Sequence, residues 1–247
     1  EYCVELHETL GINSMKLKAG VESPGEEARI LELCRLKLGD DFGLRIDPNG
    51  VWSVATAVRI GRRLEPLGIE YFEDPSWGLE GNASVRSQIR VPIATNMYPN
   101  KFDDLGPAIR MGAVDVVLTD IHYWEGPKGV KDLCAVCKTF NLGVAMHSGA
   151  EFGVELSAML HTAATIPSMT FAGDAHYHYL TDDIIKGGKM VYENGCIKVP
   201  QGAGLGVELD EDKMDFYEKY YMEKGDYYAR YHRDPRRPDW YPMVGGL

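Results

Sequence analysis

Residues 69–96 read IEYFEDPSWGLEGNASVRSQIRVPIATN. An apolar run at 69–72 ends in Glu73. A loop with a short, weak helix occupies 76–90, and a second apolar run at 91–95 ends in Asn96. Two buried strands joined by a crossover of this length predict a parallel βαβ unit. The same unit repeats on either side. GLRID closes on Asp47, INSMKLK on Lys18, DVVLTD on Asp120 and LGVAMH on His147. The six polar residues are spaced at roughly 23 to 29 residues, about one strand plus one helix of a (β/α) barrel.

The remaining pattern extends this reading. Helices are predicted at 1–10, over SPGEEARILELCRLKLG, and at 52–66, 102–110, 128–139 and 153–163. Strands are predicted at 12–18, 43–46, 69–72, 91–95, 114–118, 142–146 and 169–172. Pro24 stands near a helix start and Gly39 near its end. Several strands are almost continuously apolar, as strands covered on both faces are. The fold class is therefore α/β, a (β/α) TIM-type barrel over residues 1–210. About seven strands are legible where a closed barrel has eight. The chain opens on a helix and not on Met, so the first strand is expected before Glu1. KMVYENGCIKVPQGAGLGVELD carries strand and turn signals. Residues 211–247 read as a C-terminal amphipathic helix, rich in Tyr, followed by a Pro-rich extended tail, RDPRRPDWYP, whose aromatics are expected to pack on the parent domain, a contact surface being the alternative.

Composition narrows the function. The chain has 247 residues, 45 % of them apolar and 26 % charged, an ordinary globular balance. The net charge is −11, from 37 acidic and 26 basic residues. No Lys/Arg cluster fits a phosphate backbone, which argues against nucleic acid. No apolar run approaches the roughly 18 residues that span a bilayer, and no signal peptide stands at Glu1. A cytoplasmic protein without membrane contact is expected. The five cysteines are an odd count, which speaks against a disulfide framework. Cys134 and Cys137 form a CxxC within a helical pattern, with no second pair to complete a zinc site, so reduced helix cysteines are expected.

The polar strand ends form a chemical set. Asp47, Glu73 and Asn96 offer only oxygen, which selects Mg2+ or Mn2+ over zinc. Asp74 competes with Glu73 as ligand. Lys16 and Lys18 alternate on one strand and so share a face. Their repulsion is expected to lower the pKa of at least one, making an amine base. Asp120 and His147 end consecutive strands, and a carboxylate beside an imidazole sets its tautomer. His122 is the lesser candidate for that role. A metal-chelated carboxylate substrate whose α-proton is taken by a base suits these parts.

The motifs MKLKAG, RIDPNG, YFEDP, IATNM, LTDIHYW and MHSG, with PQGAGLGVELD beyond them, resemble the enolase superfamily in its mandelate racemase-like branch of acid-sugar dehydratases. The match covers about residues 5 to 210. Asn within ATNM resembles the glucarate dehydratase subgroup. The resemblance implies that Lys18 abstracts the α-proton and that Lys16 holds the substrate carboxylate and lowers the pKa of Lys18. It implies that Asp47, Glu73 and Asn96 bind Mg2+, and that His147, paired with Asp120, is the acid/base on the opposite face. Asn49, Ser148 and His176 would contact substrate. It further implies an amino-terminal capping domain outside this sequence, and a homo-oligomer. Gly149 stands where the subgroup has Asn, and an Arg expected after His176 is not evident, so contacts to the far end of the sugar acid should differ. The expected activity is dehydration of an aldarate or aldonate such as glucarate to a 2-keto-3-deoxy acid. Racemisation or epimerisation of a hydroxy acid on the same parts, and a non-catalytic barrel subunit, are the alternatives.

Overall fold

The structure is a computed structural model and describes residues 1–225. The order is α1 (Tyr2–Leu10), β1 (Ser14–Lys18), α2 (Pro24–Leu38), β2 (Gly43–Asp47), α3 (Val54–Leu64), β3 (Tyr71–Glu73), α4 (Gly78–Arg86) and β4 (Ile93–Thr95). Then come α5 (Phe102–Met111), β5 (Val116–Thr119), α6 (Gly126–Thr139), β6 (Gly143–Met146), α7 (Gly153–Ala164), a small hairpin of β7 (Tyr192–Glu193) and β8 (Cys196–Ile197), and α8 (Glu211–Lys224). Strands β1 to β6 pair in chain order, all parallel. Helices begin where the sequence can satisfy their free N–H groups: Ser23 and Ser53 cap α2 and α3 by accepting from Glu26 and Thr56.

The two-residue period of each strand sorts side chains between two cores. One set faces the helices: Leu44, Ile46, Phe72 and Ile93 pack with Leu31, Ile60 and Leu64 of α2 and α3. Val117, Val144 and Met146 pack likewise with Leu133 and Met159 of α6 and α7. The other set fills the concave side, where Tyr71, Ala94, Val116, Leu118 and Ala145 meet Phe171. Glu73, Asn96, Asp120 and His147 each follow a member of that inner set by two residues. They therefore continue the inner face to the carboxyl rim.

The strand expected at 169–172 does not form. Thr170 and Phe171 both donate their N–H to Val144 O, and Asp174 donates to Met146 O at 2.8 Å. The Thr170 hydroxyl lies 3.3 Å from Val144 N, where a ladder would place a carbonyl. The segment follows the edge of β6 but misses the even register of a parallel pair. Its other side is held by side chains from across the sheet. Arg45 Nη1 donates to Ala172 O at 2.9 Å and to Asp174 Oδ1 at 3.3 Å, and Lys16 donates to Asp174 Oδ2. Ion pairs thus draw the two edges of the curled sheet together.

Helix α8 has no buried residue. Tyr217 bonds Asp182 at 3.0 Å and its ring lies 6.3 Å from that of Phe152, while Phe216, Tyr221 and Met222 are exposed. The predicted extended tail lies outside the described residues. The CxxC cysteines are buried in α6 with free thiols, which burial pushes up to about 11 for Cys134 and about 12 for Cys137. Among the described residues no helix is long and apolar enough to cross a membrane.

Leu31 is fully buried between α2 and the sheet. Leu31→Ala should cost about 3 kcal/mol in urea unfolding; a loss below about 1 kcal/mol would show that α2 is not part of the cooperative core. Asp174→Ala takes a buried carboxylate from Lys16 and Arg45, leaving Lys16 to Glu73 and Asp47 and Arg45 to Glu70, and should cost about 1–3 kcal/mol. An unchanged midpoint would show that the edges are held some other way.

Candidate active site at the carboxyl ends of the strands

The site begins with two amines on β1. Lys16 is the deeper one, its side chain 12 % exposed, and Lys18 the outer one at 53 %. Lys16 donates to Glu73 Oε2 at 2.7 Å and to Asp174, and lies 3.8 Å from Asp47. Burial alone would pull the Lys16 amine down. Glu73, Asp174 and Asp47 outweigh that and hold it well above the ordinary lysine range. The expected depression by a neighbouring lysine is therefore reversed at Lys16, because three carboxylates surround the two amines. Lys18 donates to Asp47 Oδ2 and to Asn49 Oδ1 at 2.9 Å. Asn49 is set by its own backbone N–H, which donates to Asp47 Oδ1 at 2.8 Å.

The loop after Lys18 is braced by a buried residue that sequence reading missed. Glu27 on α2 accepts from the backbone N–H groups of Gly20, Val21 and Glu22 at 2.9–3.0 Å. Such a carboxylate is indistinguishable in sequence from any helix-face Glu.

Asp47 and Glu73 are fully buried on adjacent strands. Burial and the nearby Asp47 charge push Glu73 well above the usual carboxylate range, and Lys16 offsets this only in part. Asp74, the competing ligand, is otherwise engaged. Its Oδ1 accepts from Thr95 and from Asn82 at 3.4 Å, and its Oδ2 from the backbone of Asn96 and Met97. Burial and Asp47 still raise it to about 6. Asn96 satisfies its neighbours with its oxygen 3.0 Å from His147 Nε2 and its nitrogen 3.0 Å from Asp74 Oδ2 and 3.2 Å from Glu73 Oε1. Turned over, the amide nitrogen meets His147 Nε2 at 3.0 Å and the oxygen faces the carboxylates.

Among the described residues no three His, Cys, Asp or Glu side chains form a metal cage. The expected donor set has an amide as its third member. Its chemistry fits a hard divalent ion: two buried carboxylates repel each other, and an amide oxygen can be turned toward them. At Glu73, burial first and then the Asp47 charge disfavour the ionised carboxylate.

His147 lies across the mouth. Its Nδ1 donates to Asp120 Oδ2 at 2.9 Å. Asp120 Oδ1 accepts from the backbone N–H of His122 at 2.6 Å and of Tyr123 at 3.1 Å. Burial would raise Asp120, but these donors hold it below the usual range. His122 turns outward to Glu155 and does not join Asp120 through its ring. Ser148 and His176 meet each other, Oγ to Nδ1 at 2.9 Å. Burial, with Lys16 next, lowers the pKa of His176.

The structure thus brings together Lys16, Lys18, Asp47, Asn49, Glu73, Asn96, Asp120 and His147, with Ser148 and His176 as a second contact pair. Sequence reading missed Arg45, Asp174 and Glu151 as well as Glu27. Arg45 lies two residues before Asp47 and so shares its face, a signal available in the sequence. Asp174 and Glu151 sit in irregular segments, where no periodicity points to them.

Comparison with known proteins bears on the family and the fold. The family described as Enolase C-terminal domain-like matches residues 1–213. A "Probable glucarate dehydratase" of Streptomyces coelicolor is 40 % identical over 217 residues, 87 % of this chain and 49 % of its own length. A solved isomerase from Streptomyces coelicolor is 40 % identical, with a TM-score of 0.86 over 92 % of this chain and 60 % of its own. A solved enolase from Pseudomonas fluorescens, with bound magnesium, potassium and tartrate, is 37 % identical, with a TM-score of 0.88 over 96 % of this chain and 56 % of its own. The chain spans about half the length of the dehydratase it matches. The matched family and the parallel, helix-flanked sheet agree: this chain belongs to the enolase superfamily, through its C-terminal barrel domain.

Proposed function

We propose that the protein is a Mg2+-dependent dehydratase of an acid sugar, an aldarate or aldonate of the glucarate type. One observation carries the reading: a chain of contacts joins the amines of β1 to an imidazole–carboxylate pair, Lys18 to Asp47, Lys16 to Glu73, Glu73 through Asn96 to His147, and His147 to Asp120. Relatives bearing dehydratase names, for glucarate, arabinonate and L-talarate/galactarate, support it.

Each residue has a defined task. Lys16 stays an ammonium and attracts the substrate carboxylate. Lys18 sits at the accessible end of β1 and takes the proton from the carbon next to that carboxylate. Asp47, Glu73 and Asn96 hold the divalent ion, which when bound stabilises negative charge on the substrate carboxylate as the proton leaves. His147, oriented by Asp120, gives a proton to the departing β-hydroxyl, yielding a 2-keto-3-deoxy acid after ketonisation.

A second reading also has support. With a base on each face, the α-proton can be removed on one side and returned on the other, and one similar solved structure is an isomerase. Incubating the full-length protein with Mg2+ and a panel of acid sugars in D2O separates the two. A keto acid supports dehydration; an inverted α-carbon carrying deuterium supports epimerisation. Neither product from any acid sugar would overturn both.

Lys18→Ala should abolish α-proton exchange, a loss of at least about a thousandfold within the range of general-base effects. Retained exchange would remove Lys18 from the base role. Glu73→Gln should weaken Mg2+ binding about tenfold or more by calorimetry; unchanged affinity would move the ion elsewhere.

A further inference from the structure

We propose that Glu151 is a positioning residue: through Ser148 it fixes the proton of His176 on Nδ1, leaving Nε2 as an acceptor for a substrate hydroxyl. The hydroxyl contact rests on the acid-sugar reading, whereas the proton's location rests on geometry alone.

Glu151 lies in the loop between β6 and α7 and is 4 % exposed. Both its oxygens are used. Oε2 accepts from the Ser148 hydroxyl at 2.6 Å, and Oε1 accepts from the Gly149 backbone N–H. A hydroxyl has one proton to donate. With that proton on Glu151, the Ser148 oxygen faces the other ring only as an acceptor. His176 Nδ1, 2.9 Å away, must then carry the hydrogen. The backbone N–H of Ala150 also points to Ser148 Oγ, at 3.4 Å. The Ser148 oxygen thus gives its one proton to Glu151 and keeps its lone pairs for donors, so a lone pair at Nδ1 would find no hydrogen there.

The other ring nitrogen follows. A neutral imidazole has one N–H, and burial together with the Lys16 ammonium favours the neutral ring. Nε2 then presents a lone pair. It makes no hydrogen bond to the described residues, and two contacts tie the ring to the mouth: Asp174, two residues before it, bonds Lys16, and Ser148, the partner of Nδ1, follows His147 directly. A lone pair there selects a hydroxyl over a carbonyl or a deoxy carbon. A site built to bond a substrate hydroxyl discriminates strongly against analogues that lack it.

The test reads the proton directly. In protein labelled with 15N-histidine, long-range 1H–15N spectra at pH 8 distinguish the two tautomers, with His176→Gln assigning the signals. The expected wild-type pattern is Nδ1–H. In Glu151→Gln, the amide nitrogen turns away from the Gly149 N–H and toward Ser148. The serine proton then swings to His176 Nδ1, and the pattern inverts to Nε2–H. Wild-type Nε2–H overturns the proposal even if the variant fails to fold. An unchanged Nδ1–H pattern in folded Glu151→Gln overturns the role of Glu151. Adding tartrate with Mg2+ should move the His176 Nε2 resonance in the wild type. If it does not move, the hydroxyl contact fails while the relay stands. If the relay stands but no acid sugar is turned over, the acid-sugar reading fails instead.

Discussion

A parallel strand buried on both faces has only two directions for its side chains, and the residues at the strand ends of the site obey that constraint. Alternate residues pack outward on the helices or inward on the concave core. The inward series runs apolar through the core and ends polar at the rim: Tyr71 then Glu73, Ala94 then Asn96, Leu118 then Asp120, Ala145 then His147. A one-residue slip in any strand would send its rim group into the helix layer. The apolar packing that sets the register therefore also aims the chemistry.

The concentration of charge that follows is costly. Asp47, Glu73, Asp74 and Asp174 are all buried or nearly so, with Lys16 and Arg45 among them. Removing such charges from water is tolerable only when they are paired. The pairing is incomplete at Glu73, whose carboxyl is raised, and complete at Asp174, which Lys16 and Arg45 hold low despite burial. Asp174 works as a brace. The same cluster joins the edges of the sheet where strand pairing fails beyond β6, so fold and site share their ion pairs.

Much of this was legible in the sequence. Glu73 and Asn96 bracket one crossover, and Asp47, Asp120 and His147 stand at the same spacing on either side. The helices followed from apolar period and from signals such as Pro24 at a start and Gly39 at an end. The strand at 169–172 misled because its run of Met, Phe and Ala looks buried, as it is in part, while Thr170 bonds the neighbouring backbone with its side chain. At Lys16 the shift runs upward for an electrostatic reason: two amines on one face repel, but Glu73, Asp174 and Asp47 around it outweigh that, and a reading of β1 alone does not show them.

The sequence by itself determined which residues end each strand and which face they take, because both follow from a local period and from apolar pattern. The tertiary structure decided which charges meet. Lys16 and Asp174 are 158 residues apart, and Lys16 and Glu73 are 57 apart. Their contact depends on how far the sheet curls, which is a sum of twists and packings over all six strands. Coulomb energy depends on those final distances and on burial, so the protonation of each group becomes readable only once the curl is known.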